Sequence, residues 1–218
     1  MHIFEDPALF KTVGVIGVMF GILGVLIPSF AYRGRKGERY SFLNHYISEL
    51  GEVGVSRLAW VFNLGMIVCG ICIVIASLSL GILLPGFWAK AGLVLGVITG
   101  SALSMVGVFP MDNYKRHVQA AVTFFRAGFL MVIAFSLAFA LQKGDVLVAS
   151  RWLGLAGLFP ILAFGIFLGL MWTVRDVGYD VLSAPDLERP RVWKFAISEW
   201  SIYFAMIFWI LVIALGIA

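Results

Sequence analysis

The hydrophobic positions of the chain gather into six long runs, at about residues 9–30, 57–84, 87–109, 118–141, 152–174 and 195–217. Each run reaches the roughly 20 apolar residues needed to cross the hydrocarbon core of a bilayer. Only a helix or a closed barrel satisfies its own backbone in lipid, and runs of this length predict helices. The expected fold is therefore all-α, a polytopic integral membrane bundle of six transmembrane helices forming one domain over residues 1–218. Only Pro85-Gly86 separates the second run from the third, which predicts a tight turn and an antiparallel hairpin. Pro110 is expected to end the third helix, and Pro160 to bend the fifth.

Polar positions interrupt this pattern unequally. The first connection (31–56) and the fifth (175–194) are long and polar, whereas the second and fourth are short. The odd-numbered connections share one side of the membrane and contain Arg33, Arg35, Lys36, Arg39, Arg57, Lys115, Arg116, Arg175, Arg189, Arg191 and Lys194. The opposite side has Lys11, Lys90, Lys143 and Arg151. Cations collect in cytoplasmic loops, so the count predicts a multi-pass protein of the cell membrane with the odd connections in the cytoplasm and both termini outside.

Composition agrees with the pattern. Of 218 residues, 61% are hydrophobic and 13% charged, about half the charge of a soluble domain, and mean hydropathy is +1.00. A soluble enzyme, a disordered chain and a nucleic-acid-binding module are excluded as classes. The net charge of +4 then records orientation, and membrane lipids, with no nucleic acid, are the expected partners. Residues 1–11 lack the basic start of a cleavable signal, so the first span is expected to be retained. Cys69 and Cys72 lie within an apolar run, where thiols pack as small hydrophobes. Gly92, Gly96 and Gly100 form a small-residue stripe, with shorter ones at Gly17/Gly21 and Gly165/Gly169. Such stripes let helices approach closely, within one bundle or between copies in a homo-oligomer.

A few polar groups enter the spans. Arg126 is about 12 Å into the fourth run and Glu199 about 6 Å into the sixth, both from the odd-connection side. A central Arg costs about 2.5–3.5 kcal/mol on insertion scales, and an Arg126–Glu199 ion pair would relieve it. Asn63 and Ser104 lie near the same face. These four residues are the candidate ligand-binding set, lining a polar cavity open to that side; the alternative is a hydrogen-bond network that only locks the bundle. Two loop segments on that side, 44–51 and 109–117, contain the candidate catalytic residues His45, Ser48, Glu49, Asp112 and His117. The two histidines with Glu49 and Asp112 have the donor types of a divalent-metal set. Ser48 with a histidine would suit acyl transfer, and His117 with Asp112 acid–base work. No catalytic or metal motif of defined spacing is present, and the cofactor is left open.

The segment Ile47-Ser48-Glu49-Leu50-Gly51, followed by Ala59-Trp60-Val61-Phe62-Asn63, resembles the first signature of domain-of-unknown-function family 998, six-helix membrane proteins of bacteria and archaea. Gly107-Val108-Phe109-Pro110-x-Asp112, then His117, Ala120-Ala121 and Phe124-Phe125, resembles its second. More remotely the pattern is similar to the DRAM/Sfk-type family, some members of which are linked to lipid organisation. That likeness implies the opposite side for the first long loop. The leading expectation is a protein that binds a lipid or other amphiphile in a polar-mouthed cavity. The alternatives are an intramembrane enzyme acting on lipid head groups through His45, Asp112 and His117, and a structural or assembly subunit.

Overall fold

A computed structural model describes residues 2–142, 148–174 and 189–217. Its principal helices are α1 (Pro7–Ala31), α2 (Ala59–Leu83), α3 (Phe87–Val108), α4 (Tyr114–Ala140), α5 (Leu153–Ala156), α6 (Leu158–Thr173) and α7 (Lys194–Gly216). Short 3-10 turns at His2–Glu5, Ile47–Gly51 and Met111–Asn113 precede α1, α2 and α4. With α5 and α6 counted as one interrupted span, six helices are long and apolar enough to cross a membrane.

Local chemistry accounts for the helix ends. Asp6 caps α1 by accepting the Ala8 N–H at 2.9 Å, with Pro7 in the first turn, where no amide is needed. At the α2–α3 turn Gly86 has φ +89°, a conformation that a side chain disfavours. The Lys90 ammonium donates to the Gly81 carbonyl at 2.7 Å and so serves the end of α2. Helix α3 stops two residues before Pro110, as expected, because the residue preceding a proline avoids the helical region.

One boundary is corrected and one is located more closely. Helix α4 begins at Tyr114, four residues before the apolar run, because Lys115 and Arg116 continue the helix with their side chains exposed. The fifth span breaks at Gly157, ahead of Pro160. Pro160 sits in the first turn of α6, where its missing N–H costs nothing, and the break keeps its ring clear of the preceding turn. Gly157 packs against α4 so closely that a methyl group there would collide with Ser136 Oγ.

The spans form a ring in chain order. α1–α2, α2–α3 and α3–α4 pack most closely, and α7 closes the ring by touching both α1 and α6. Gly92, Gly96 and Gly100 are buried inside this ring: Gly100 against the α2 backbone at Gly70, Gly96 against Ser77, and Gly92 against the Phe135 ring of α4. The stripe faces α2 and α4 of the same chain, the first of the two uses expected for it. Only 33–44% of the most apolar window of each span is buried within the protein. The remaining apolar surface is what lipid must cover. Lys143 and Arg175, counted in the charge asymmetry, lie outside the described residues.

Candidate functional site

The first connection folds back over one end of the ring as a plug. Tyr32 at the end of α1 is buried, and its ring meets Tyr40 and His45 edge-on at 5.4 and 5.5 Å. The Tyr40 hydroxyl donates to the Tyr46 carbonyl at 2.9 Å. Burial, and then the fields of nearby carboxylates, push the Tyr32, Tyr40 and Tyr46 phenols well above their ordinary values. They stay neutral donors at physiological pH.

Buried carboxylates hold the plug. Glu49 accepts the Tyr46 N–H at 2.9 Å and an Arg189 N–H at 2.5 Å. Arg189 also donates to the Asn44 carbonyl at 3.2 Å, with its guanidinium 4.7 Å from the Trp193 ring centre. Arg35 binds Glu52 at the outer rim. From α7, Glu199 reaches up to accept the Ile47 N–H at 2.7 Å.

Beneath the plug are two adjacent spaces. The outer one, about 300 Å³, lies between α4, α6, α7 and the turns at 47–51 and 111–113, and its lining includes Tyr46, Tyr114, Arg126, Phe167 and Trp172. The inner one, about 120 Å³, occupies the ring interior among α1, α2, α3, α4 and α7 and is almost wholly apolar apart from its upper end. Ser48, His117, Ala121, Phe125 and Glu199 line both. The outer cavity runs from exposed residues, Arg126 and Trp172, to the buried His117, so it connects the bundle surface with its core.

The structure divides the expected site residues into three groups. Ser48, His117, Arg126 and Glu199 converge on the cavity. Asn63 and Ser104 line neither space: Asn63 donates to the Gly51 carbonyl at 3.1 Å and Ser104 to the Ile67 carbonyl at 3.1 Å, both at helix or plug contacts. His45, Glu49 and Asp112 are also elsewhere. His45 is fixed between Tyr32 and Tyr40, accepting the Ser41 N–H at Nδ1, with Nε2 3.8 Å from Glu38. Glu49 is engaged with Arg189, and Asp112 is exposed on its turn. The proposed four-residue metal set is therefore dispersed, and among the described residues no three His, Cys, Asp or Glu side chains come together.

Two further expectations are corrected by geometry. Arg126 and Glu199 share the cavity without forming an ion pair, because the Glu199 carboxylate meets the Ile47 amide, an unsatisfied donor at the start of the 3-10 turn. Ser48 and His117 do not form a nucleophile–base hydrogen bond. Ser48 Oγ donates to Met111 Sδ at 3.4 Å, and His117 Nδ1 donates to the Phe109 carbonyl at 2.9 Å. A carbonyl only accepts, so Nδ1 carries the hydrogen and Nε2 is the acceptor of the neutral ring. Cys69 and Cys72 are free thiols, and Cys69 lines the inner space.

Sequence reasoning missed Tyr46, Tyr114 and Trp172 as cavity residues and Arg189 as the partner of Glu49. Arg189 had been counted only as one of the loop cations. The local signal for the aromatics was their position at span ends, where such rings are common for other reasons.

A family model described as a protein of unknown function, DUF998, matches residues 12–216, from the first span through the last. The chain belongs to the DUF998 family. The DUF998 match covers both signature segments, which form the plug and the turn at 111–113 that border the cavity. No curated protein and no solved structure matches this DUF998 chain.

Proposed function

We propose that this DUF998 protein binds an anionic amphiphile, a membrane lipid, in the cavity between α4, α6 and α7. One observation carries the reading. Arg126 stands eight residues into the apolar part of α4, about 12 Å along the helix, and among the described residues it has no ion-pair partner. A charged side chain at that depth faces a protein partner, water or a lipid head group. Its side chain tilts back toward the start of α4 and lines a 300 Å³ cavity, the lower end of the size range of ligand sites. That volume suits a head group and the start of its chains. The exposed apolar side chains of α6, such as Leu162 and Ile166, offer the rest of the chains a path along the bundle surface.

The test is lipid retention. Protein purified in mild detergent is expected to carry lipid detectable by mass spectrometry. Arg126→Leu, which keeps the apolar bulk and removes the charge, is expected to lose most of it while unfolding at a similar temperature. Unchanged lipid content in Arg126→Leu would sink the proposal.

A further inference from the structure

The same cavity contains a carboxyl group with no cation beside it, and resting on the reading above we infer that its ligand is a zwitterionic aminophospholipid of the phosphatidylethanolamine class. Arg126 and Glu199 line one cavity, a guanidinium and a carboxyl group that are not paired with each other. Among the described residues neither has a charged partner elsewhere. An arrangement that holds a cation and an anion apart across a shared space is the complement of a zwitterion.

The chemistry of the Glu199 end is specific. Oε2 is occupied by the Ile47 N–H, and no hydrogen bond from a described residue reaches Oε1. A half-buried carboxylate without a cation is costly, and a ligand ammonium supplies both the counter-charge and N–H donors. The Tyr46 and Tyr114 rings share this wall, and aromatic faces favour a cation. His117 adds an acceptor nitrogen rather than another positive charge. A quaternary choline has no N–H to donate, and a glycerol head group carries no positive charge at all. Choline would match the charge and leave Oε1 without a donor, and glycerol would supply no counter-charge.

The order of the charges fits a lipid entering from the leaflet at the plug end. Both helices start at that end, and measured from the start of each apolar run Arg126 is about 6 Å deeper than Glu199 by helical rise. In a phospholipid the phosphate is joined to the chains and the ammonium is the terminus farthest from them. Phosphate at Arg126 and ammonium at Glu199 therefore leave the chains pointing toward the membrane middle.

Reconstitution into nanodiscs of equal parts phosphatidylethanolamine, phosphatidylglycerol and phosphatidylcholine, followed by detergent extraction and native mass spectrometry, tests this. The ethanolamine lipid is expected to be retained about tenfold over each of the others, the worth of one charge-assisted hydrogen bond. Glu199→Gln keeps an acceptor for the Ile47 amide and is expected to abolish the preference while lipid is still retained. On the ligand side, an N-acylated ethanolamine lipid, which has lost its ammonium, is expected to compete no better than the glycerol lipid. Equal retention of the three lipids, a preference for glycerol, or equal competition by the N-acylated lipid would overturn the inference and leave amphiphile binding standing. Failure of wild type to retain any lipid would overturn both.

Discussion

Arg189 and Glu49 show how much one buried contact can decide in this protein. Glu49 closes the turn at 47–51 by accepting the Tyr46 amide, and Arg189 sits on its carboxylate, held by the Asn44 carbonyl and the Trp193 face. Removing one partner of such a pair strands the other in a poor solvent, which costs more than the intact pair contributes. Arg189→Ala is expected to lower stability by about 3 kcal/mol, whereas Arg189→Met combined with Glu49→Gln recovers part of the loss. Reversible unfolding in mixed micelles measures both. Equal losses in the single and double variants would mean that the pair itself, and not the stranded charge, governs stability. None of this was legible locally, since a Glu and an Arg 140 positions apart give no sequence signal of contact.

At the scale of elements, the plug is the part built from side-chain chemistry rather than from hydropathy. Its phenols are held neutral first by burial, and for Tyr46 also by the fields of Glu199 and Glu49, with Arg189 opposing them. In the undocked chain a phenol ionises near pH 10. The native state binds that proton more tightly, so stability is unaffected below about pH 10 and declines as pH rises beyond it. Tyr46→Phe removes one such group and is expected to flatten the alkaline decline, with little change at neutral pH. Thermal unfolding followed between pH 8 and pH 11 checks this; an unchanged slope would contradict it. Among the membrane helices, hydropathy located every span because partition into lipid is decided residue by residue. It misplaced the start of α4, where polar residues continue a helix beyond the apolar region. The break in the fifth span lies at Gly157, one turn ahead of Pro160, where the ring of that proline would meet the Ala156 carbonyl.

For the whole molecule, the ring closes least tightly where α6 and α7 complete it, and the outer cavity opens beside that region. The plug, the turn at 111–113 and the start of α7 share one end, the end that also carries the excess of Lys and Arg. By the charge bias this end is expected in the cytoplasm. A cysteine at Lys36, an exposed plug position, is expected to resist a membrane-impermeant maleimide in intact cells and to react after permeabilisation. Labelling in intact cells would reverse the orientation, in agreement with the loop placement that the DRAM/Sfk likeness implies.

What the sequence determined by itself was the solvent, the number of spans, the family and the end of the bundle where polar chemistry collects. These are sums of local preferences, and apolar runs, a Pro-Gly turn and two short signatures express them directly. Only tertiary structure decided which polar residues meet. Asn63 and Ser104 are as polar and as deep as the cavity residues, yet they donate to backbone carbonyls, and Asn63 borders a separate open pocket beside Arg57 and Trp60. Ser48, His117, Arg126 and Glu199 come from a loop and two helices and share one space because the ring brings α4 and α7 to opposite walls of it. The Ile47 amide then takes the carboxylate that sequence reasoning had assigned to Arg126. A hydrogen bond depends on distance and direction between groups far apart in the chain, and those are properties of the packed bundle.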